Sequence, residues 1–392
     1  MNIKEANRLN KVSEYYFSTK LKEINALNKK GSDIINLGIG SPDLAPPIAV
    51  INELTKSANQ FDVHGYQQYN GIPELRFAIK QWSKNIYGIN LDEETEILPL
   101  LGSKEGINQI TQAFVNEGDR VLIPMLGYPT YRSVSNLVQA EIVEYSINQD
   151  GSFDLVELSY LFSGSAKVLW LNYPHMPTGT KANRKALKEL IKLAIKNNCI
   201  VVNDNPYSTI LTNDYFSIFQ IEGAKENCIE LNSLSKSHNM SGWRVGWVSG
   251  RKELIQSILK VKSNMDSGMF LPVQQGVIKA LSVSEEWIKE LNNKYASRRI
   301  IVWNLLDALN CTYRKDNVGL FVWAKIPEGE NFSQKWVDKL LEKAKLFVAP
   351  GFIFGSNGNK YIRVSLCSSE KVLEKALKRI LTLKKEENVI GQ

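Results

Sequence analysis

Cysteine is scarce: four in 392 residues. Cys199, Cys228, Cys311 and Cys367 are scattered, and no two form a C-x-x-C pair. Neither a disulfide framework nor a zinc cluster is therefore expected. Met1 to Asn10 carries no apolar targeting core, and no uninterrupted apolar run approaches the ~18 residues a membrane helix needs. The expected compartment is the cytoplasm. The net charge is +7, but its lysines are spread over surface helices such as 181–196. No arginine–aromatic stripe suited to nucleic acid is present. Internal repeats and low-complexity linkers are absent too. The length allows two domains or one large α/β unit with a sizeable core.

Read in order, residues 1–30 form a Lys/Asn-rich amphipathic arm with a helical pattern, closed by Gly31. Ile34 to Asp43 runs from a short strand into a Gly/Pro loop. Tyr66 to Arg76 enters a helix that continues to about Ile86, with Pro73 in its first turn. From Ile97 to Gly250, short apolar strands alternate with amphipathic helices. The strands are Leu98–Leu101, Val121–Pro124, Ile142–Tyr145, Val168–Leu171, Ile200–Val202, Cys228–Leu231 and Val245–Val248. One intervening helix places Leu187, Leu190, Ile191 and Ala194 on a single face. Continuous apolar strands separated by such helices predict an α/β fold: a mostly parallel central sheet with helices on both faces. Beyond it lie helices near Glu253–Lys262, Gln274–Leu281 and Glu285–Leu309. After residue 310 strand and helix no longer alternate strictly, which predicts a smaller α+β domain. The expected division is 1–46 as arm and part of the small domain, 47–283 as the large domain and 284–392 as the small C-terminal domain.

Several strand ends carry chemistry. Asn232 to Gly246 presents Lys236 from a Ser-rich turn, with Arg244 eight residues on. A lysine fixed at a strand end suits covalent catalysis by its amine. The hydroxyls of Ser233 and Ser235 and the fork of Arg244 suit a phosphate. Gly102-Ser103-Lys104, between strand and helix, makes an anion seat from free backbone N–H groups. Tyr128 lies on a loop after a strand, where its ring can stack on a flat heterocycle. Asp204 ends another strand; a desolvated carboxylate there calls for a cationic partner. Tyr207 follows three residues later. Taken singly, each has a plain reading as a solvated loop, packing or a cap.

Together they resemble the class I/II, fold type I, pyridoxal-phosphate-dependent aminotransferases along nearly the whole chain. The ordered motifs are Ile35-Asn36-Leu37-Gly38-Ile39-Gly40, Tyr66 to Arg76, Asn172 to Gly179, Asp204 to Tyr207, Ser233 to Gly246 and Tyr361-Ile362-Arg363-Val364-Ser365. The resemblance implies pyridoxal 5′-phosphate as cofactor, with Lys236 as the Schiff-base lysine that also shuttles the proton. It implies that Asp204 pairs with the pyridine nitrogen, that Tyr207 bonds the ring oxygen and that Tyr128 stacks on the ring. Ser103 and Lys104 (by backbone), Ser233, Ser235 and Arg244 would hold the phosphate, joined by Tyr66 from the other subunit of a homodimer with shared sites. Arg363 would grip the substrate α-carboxylate, assisted by the Gly40 backbone. Asn172 and Met176 would adjoin the cofactor. Met176 stands where the family usually has the Asn of N-P-T-G, a donor to the ring oxygen, and a thioether has no proton to give. The implied reaction moves an amino group between an L-amino acid and a 2-oxoacid. A C–S β-lyase on the same scaffold is the alternative. The stretches 101–107 and 264–270 look most like the branch containing LL-diaminopimelate and alanine aminotransferases, making diaminopimelate-type or neutral amino acids the expected donors.

Overall fold

The structure, a computed structural model, describes residues 3–390, with side chains to 386. Met1, Asn2, Gly391 and Gln392, at the ends of the expected 1–46 and 284–392 divisions, lie outside the described residues. The arm is a helix, α1 (Tyr16–Lys29), preceded by a 3-10 turn at Asn7–Lys11. It leads to β1 (Ile35–Asn36), which pairs in parallel with β11 (Leu346–Phe347), more than three hundred residues away.

The central sheet has seven strands in the order β2-β8-β7-β6-β5-β3-β4. These are β2 (Ile97–Leu100), β3 (Arg120–Pro124), β4 (Glu141–Tyr145), β5 (Ala166–Leu171), β6 (Ile200–Asn205), β7 (Cys228–Ser233) and β8 (Gly246–Gly250). Only β8 runs against its neighbours, so the sheet is mostly parallel, as predicted. Alternation along each strand sends successive side chains to opposite faces. Leu122 joins Leu158, Leu187 and Leu190 in one buried cluster; Val121 and Ile123 join Ile107 and Ile110 in the other. Both faces are thus covered by helices, which explains why these strands read as unbroken apolar runs.

After the long helix Glu285–Ala308, a four-stranded antiparallel sheet takes the order β12-β13-β10-β9. Its strands are β9 (Thr312–Tyr313), β10 (Phe321–Lys325), β12 (Ala349–Pro350) and β13 (Tyr361–Ser365). β10 starts only at Phe321, because Gly319 just before it has a φ of +85°, a left-handed backbone that keeps it out of the ladder. A helix, Ser333–Ala344, follows β10. Helices Ile48–Ala58, Pro129–Leu137 and Leu155–Ser163 and the two-residue strands β11 and β12 were not read from the sequence. Two-residue strands carry too short a pattern to register, and their pairing is decided by distant partners.

The parallel strands all deliver their carboxyl ends to one edge of the sheet, where open α/β sheets bind ligands. Gly246 lets that edge close up. A Cβ there would lie 2.6 Å from Asn232 O and 2.9 Å from Ser103 N, so only glycine allows the turn after β2 to meet the start of β8.

Candidate active site

The turns after β2, β3, β5, β6 and β7 line one cavity of about 680 Å3, closed on its far side by α1, the loop after β1, and Phe321 and Arg363 of the small sheet. A slightly larger cleft of about 710 Å3 lies beside Asn148 and Arg314. It contains neither Lys236 nor Asp204, so the chemistry belongs to the smaller cavity.

Lys236 sits in the short helix Leu234–Ser237, whose N-cap Ser233 accepts from Ser235 N at 3.1 Å. The amine donates to Gly40 O at 2.5 Å. Burial holds its pKa below the ordinary lysine value, a nearby Cys367 opposes this, and the charges of Arg363 and Arg244 lower it further. An amine so placed gives up its proton more readily, which a nucleophile or base requires. Ser233 Oγ also donates to Val245 O at 3.3 Å, tying the lysine turn to the chain just before β8.

Asp204 is the most constrained group. It is buried, and Tyr131 donates to its Oδ2 at 2.8 Å. Its Oδ1 has no partner among the described residues. Burial pushes the carboxyl up to about 7, against the lowering hydrogen bond from Tyr131. Tyr131 is itself fixed by stacking on Trp170, 5.0 Å between centroids, and meets the Tyr128 ring edge-on at 5.8 Å. Asn172 holds the same corner: its Nδ2 donates to Asp204 O, and its Oδ1 accepts from Met176 N at 2.7 Å. Both ends of the Asn172 amide therefore serve the backbone.

Arg363 enters from β13. Its guanidinium lies 3.8 Å above the Phe321 ring and 4.6 Å from that of Phe354. Nη2 donates to Gly38 O at 2.9 Å, while Nε is buried with no partner among the described residues. Nη1 lies 3.2 Å from the Met176 sulfur, a weak acceptor. His175 does not stand in for the donor that Met176 lacks. Its Nε2 donates to Leu126 O at 2.8 Å, its Nδ1 is 2.7 Å from the Thr178 hydroxyl, and burial depresses its pKa to about 4. Tyr207 packs edge-on against Phe321 at 5.8 Å, and burial raises its pKa.

At the opposite end, Ser103 and Lys104 open the helix Ser103–Phe114 and line the cavity. Gly102 has a φ of +91°, and a Cβ there would fall 2.2 Å from Arg244 Nη2, so the Arg244 fork lies against this turn. Arg244 Nη1 also reaches Ser241 O at 2.9 Å. Gly40, Tyr128 and Ser235 complete the wall. Tyr66 is the exception: it is 94% exposed and outside this cavity within the chain. Sequence reasoning gave no role to Tyr131, nor to Tyr15, Phe17 and Ile39, which also line or support the site. Tyr131's only signal was its place three residues after Tyr128, on the same helix face.

The sequence matches the family described as Aminotransferase class I and II over residues 32–380. The chain belongs to that family. It is 36% identical over 382 residues to an LL-diaminopimelate aminotransferase of Halothermothrix orenii, covering 96% of this chain and 98% of that one. A protein of the same name from Oleidesulfovibrio alaskensis is 37% identical over 383 residues, with the same shares covered. Among solved structures, a substrate-bound BacF from Bacillus subtilis superposes with a TM-score of 0.92 at 31% identity, over 98% of each chain. A probable N-succinyldiaminopimelate aminotransferase from Thermus thermophilus gives 0.86 at 30% identity, over 93% of this chain and 98% of that one. The protein is a fold type I aminotransferase dependent on pyridoxal phosphate.

The cavity fits that cofactor. The Asp204 Oδ1, without a partner among the described residues, suits a protonated ring nitrogen, the Gly102–Arg244 corner suits a phosphate, and Lys236 lines the same cavity. Tyr131→Phe should raise the Asp204 pKa above its present value of about 7, because it removes the donor that favours the ionised form. Cofactor affinity at neutral pH should fall roughly tenfold or more, the loss of a charge-assisted bond. The deficit should shrink as pH rises and the carboxyl ionises, and Tyr131→His should restore part of the affinity. Cofactor titration across pH reads this; equal affinities in parent and Tyr131→Phe would remove Tyr131 from the site.

Proposed function

We propose that the amino transfer runs on Lys236, Asp204 and Tyr207, with Arg363 as the carboxylate grip and the 102–104 turn, Ser233, Ser235 and Arg244 as the phosphate seat. What supports this reading is one juxtaposition. A proton-releasing amine, a buried guanidinium and a carboxylate line the same cavity, the guanidinium Nε and one carboxylate oxygen without partners among the described residues.

When bound, the cofactor supplies an electron sink for the bonds at the substrate Cα. Asp204 would hold the cationic ring nitrogen through Oδ1, since Tyr131 occupies Oδ2. Tyr128 would cover the ring face, and the Tyr207 hydroxyl would donate to the ring oxygen. Arg363 fixes the substrate carboxylate, which turns the Cα proton toward Lys236 Nζ. Lys236 then removes that proton and holds it for return, and the Gly40 carbonyl orients its amine. Met176 adds bulk and a polarizable sulfur beside Arg363 but no proton. The relatives named for LL-diaminopimelate make that compound one candidate donor, and neutral amino acids are the other.

We also propose that two domains divide the work: 47–283 holds the cofactor, while 284–392, with the 1–46 arm, carries Arg363. The working unit is a homodimer in which Tyr66 of each subunit completes the other's phosphate seat. Tyr66 is 94% exposed, beside Phe61 at 98%. His64 stacks on Phe270 at 5.9 Å, which joins this loop to the exposed Met265 segment. These exposed rings are the surface that the proposal assigns to the partner subunit. The cytoplasm is the proposed setting, because the four cysteines are buried free thiols, the state a reducing compartment preserves.

Arg363→Ala should weaken amino acids and 2-oxoacids alike by roughly ten- to a hundredfold, the loss of about 1.5–3 kcal/mol from a charge-assisted contact, with the bound-cofactor spectrum little changed. Half-reaction kinetics on both substrates check it, and unchanged kinetics would exclude this residue. Mixing Lys236→Ala with Tyr66→Phe tests the shared sites. Each heterodimer then holds one site with both lesions and one with neither, so activity should rise above that of either variant. No gain after demonstrated subunit exchange would mean that each site is built from one chain.

A further inference from the structure

We propose that Glu105, Lys262 and Asp266 are positioning residues that tie together the two segments each subunit gives to phosphate binding. One segment is the 101–104 turn of its own seat, and the other is the Tyr66 loop lent to its partner. The inference rests on the homodimer reading above, in which Tyr66 completes the other subunit's seat.

The three side chains meet where two helices covering the large sheet pack together. The helix Lys252–Lys262 and the helix Ser103–Phe114 share one apolar cluster, with Leu254, Ile255 and Ile258 joining Ile107 and Ile110. Lys262 is only 2% exposed, a depth that an ammonium rarely occupies unless it is paired. Its Nζ donates to both Asp266 oxygens, at 2.7 and 2.8 Å. Glu105 stands beside this pair. Burial raises its pKa, the Leu101 N–H lowers it, the Asp266 carboxylate raises it and Lys262 lowers it. Two carboxylates and one ammonium therefore form a unit whose members depend on one another.

Each end of the unit holds backbone. Glu105 Oε2 accepts from Leu101 N at 2.6 Å, which fixes the turn entering Ser103 and Lys104. Asp266 Oδ1 also accepts from Gly268 N at 2.8 Å. Gly268 has a φ of +87°, and a Cβ there would fall 2.6 Å from Gln67 O and 2.8 Å from Gln68 O. Glycine thus lets the 266–268 turn press on the backbone next to Tyr66. Buried Gln274 adds a second tie, accepting from Ile72 N at 2.8 Å and donating to Met269 O at 2.6 Å. None of the three charged residues lines the cofactor cavity, so they act through the backbone they hold. Without Asp266, Lys262 is left as a buried unpaired charge and Gly268 N loses its acceptor. The Tyr66 loop then loses support, and the consequence falls on the partner's site.

Cofactor release from mixed dimers separates the two ends. One chain carries Lys236→Ala with Asp266→Ala and the other is unaltered, so the covalently held cofactor belongs to the unaltered chain. Its release to an excess of a scavenging apoenzyme, followed by absorbance, should be roughly tenfold faster than from dimers carrying Lys236→Ala alone, the loss of one charge-assisted contact. Adding Tyr66→Phe to the doubly altered chain should add little, because both lesions reach the phosphate through the same hydroxyl. Glu105→Ala should speed release from its own chain's site, and Glu105→Gln, which keeps an acceptor for Leu101 N, should recover most of the retention. Asp266→Asn keeps an acceptor for Gly268 N and replaces Asp266→Ala if that chain does not fold; it should act in the same direction, more weakly. Release that Tyr66→Phe speeds but neither Asp266 variant changes would overturn the proposal and leave the shared site standing. Release unchanged by Tyr66→Phe as well would refute the shared-site reading, and the inference with it.

Discussion

The site depends on a carboxylate placed where water does not reach it. Asp204 lies near the end of β6, is buried, and has one oxygen bonded to Tyr131 and the other without a partner among the described residues. Alone, such a group is costly and drifts toward its neutral form, which is why burial carries it up to about 7. A cation meeting Oδ1 reverses that cost, so cofactor binding and Asp204 ionisation favour each other. Tyr131 holds its side chain and Asn172 its backbone, while Trp170 stacks on Tyr131.

The second constraint is distance along the chain. The strand ends that meet at the cavity come from residues 100 to 236, but the carboxylate grip comes from Arg363, across the small antiparallel sheet. Arg363 is kept in place by Phe321 and Phe354 from its own part of the chain and by Gly38 O from the arm. Pairing of β1 with β11 fixes Gly38 and Gly40 against that sheet. Gly40 O in turn holds the Lys236 amine. The N-terminal segment therefore joins the lysine to the arginine.

Much of this was legible in the sequence where local rules suffice. The large sheet's strands appear as apolar runs because both their faces are covered, and the helix after Gly102 begins where a left-handed glycine forces the turn. The ordered motifs brought Lys236, Asp204, Tyr207, Arg244 and Arg363 forward, and all line one cavity. What stayed hidden depends on tertiary partners. Tyr131 reads as an ordinary first-turn residue until β6 places Asp204 opposite it. The arm's role reads only as amphipathic helix until Phe17 meets Arg363. The sulfur contact of Met176 joins residues 187 positions apart, which no local pattern encodes.

Lys236 stands at the centre of all of this, and chemical trapping addresses it directly. Borohydride reduction of the holoenzyme, followed by digestion and mass mapping, should place the cofactor's mass on the peptide containing Lys236 and on no other lysine. Recovery of the label on Lys104, or on any lysine outside the 233–246 segment, would contradict the assignment.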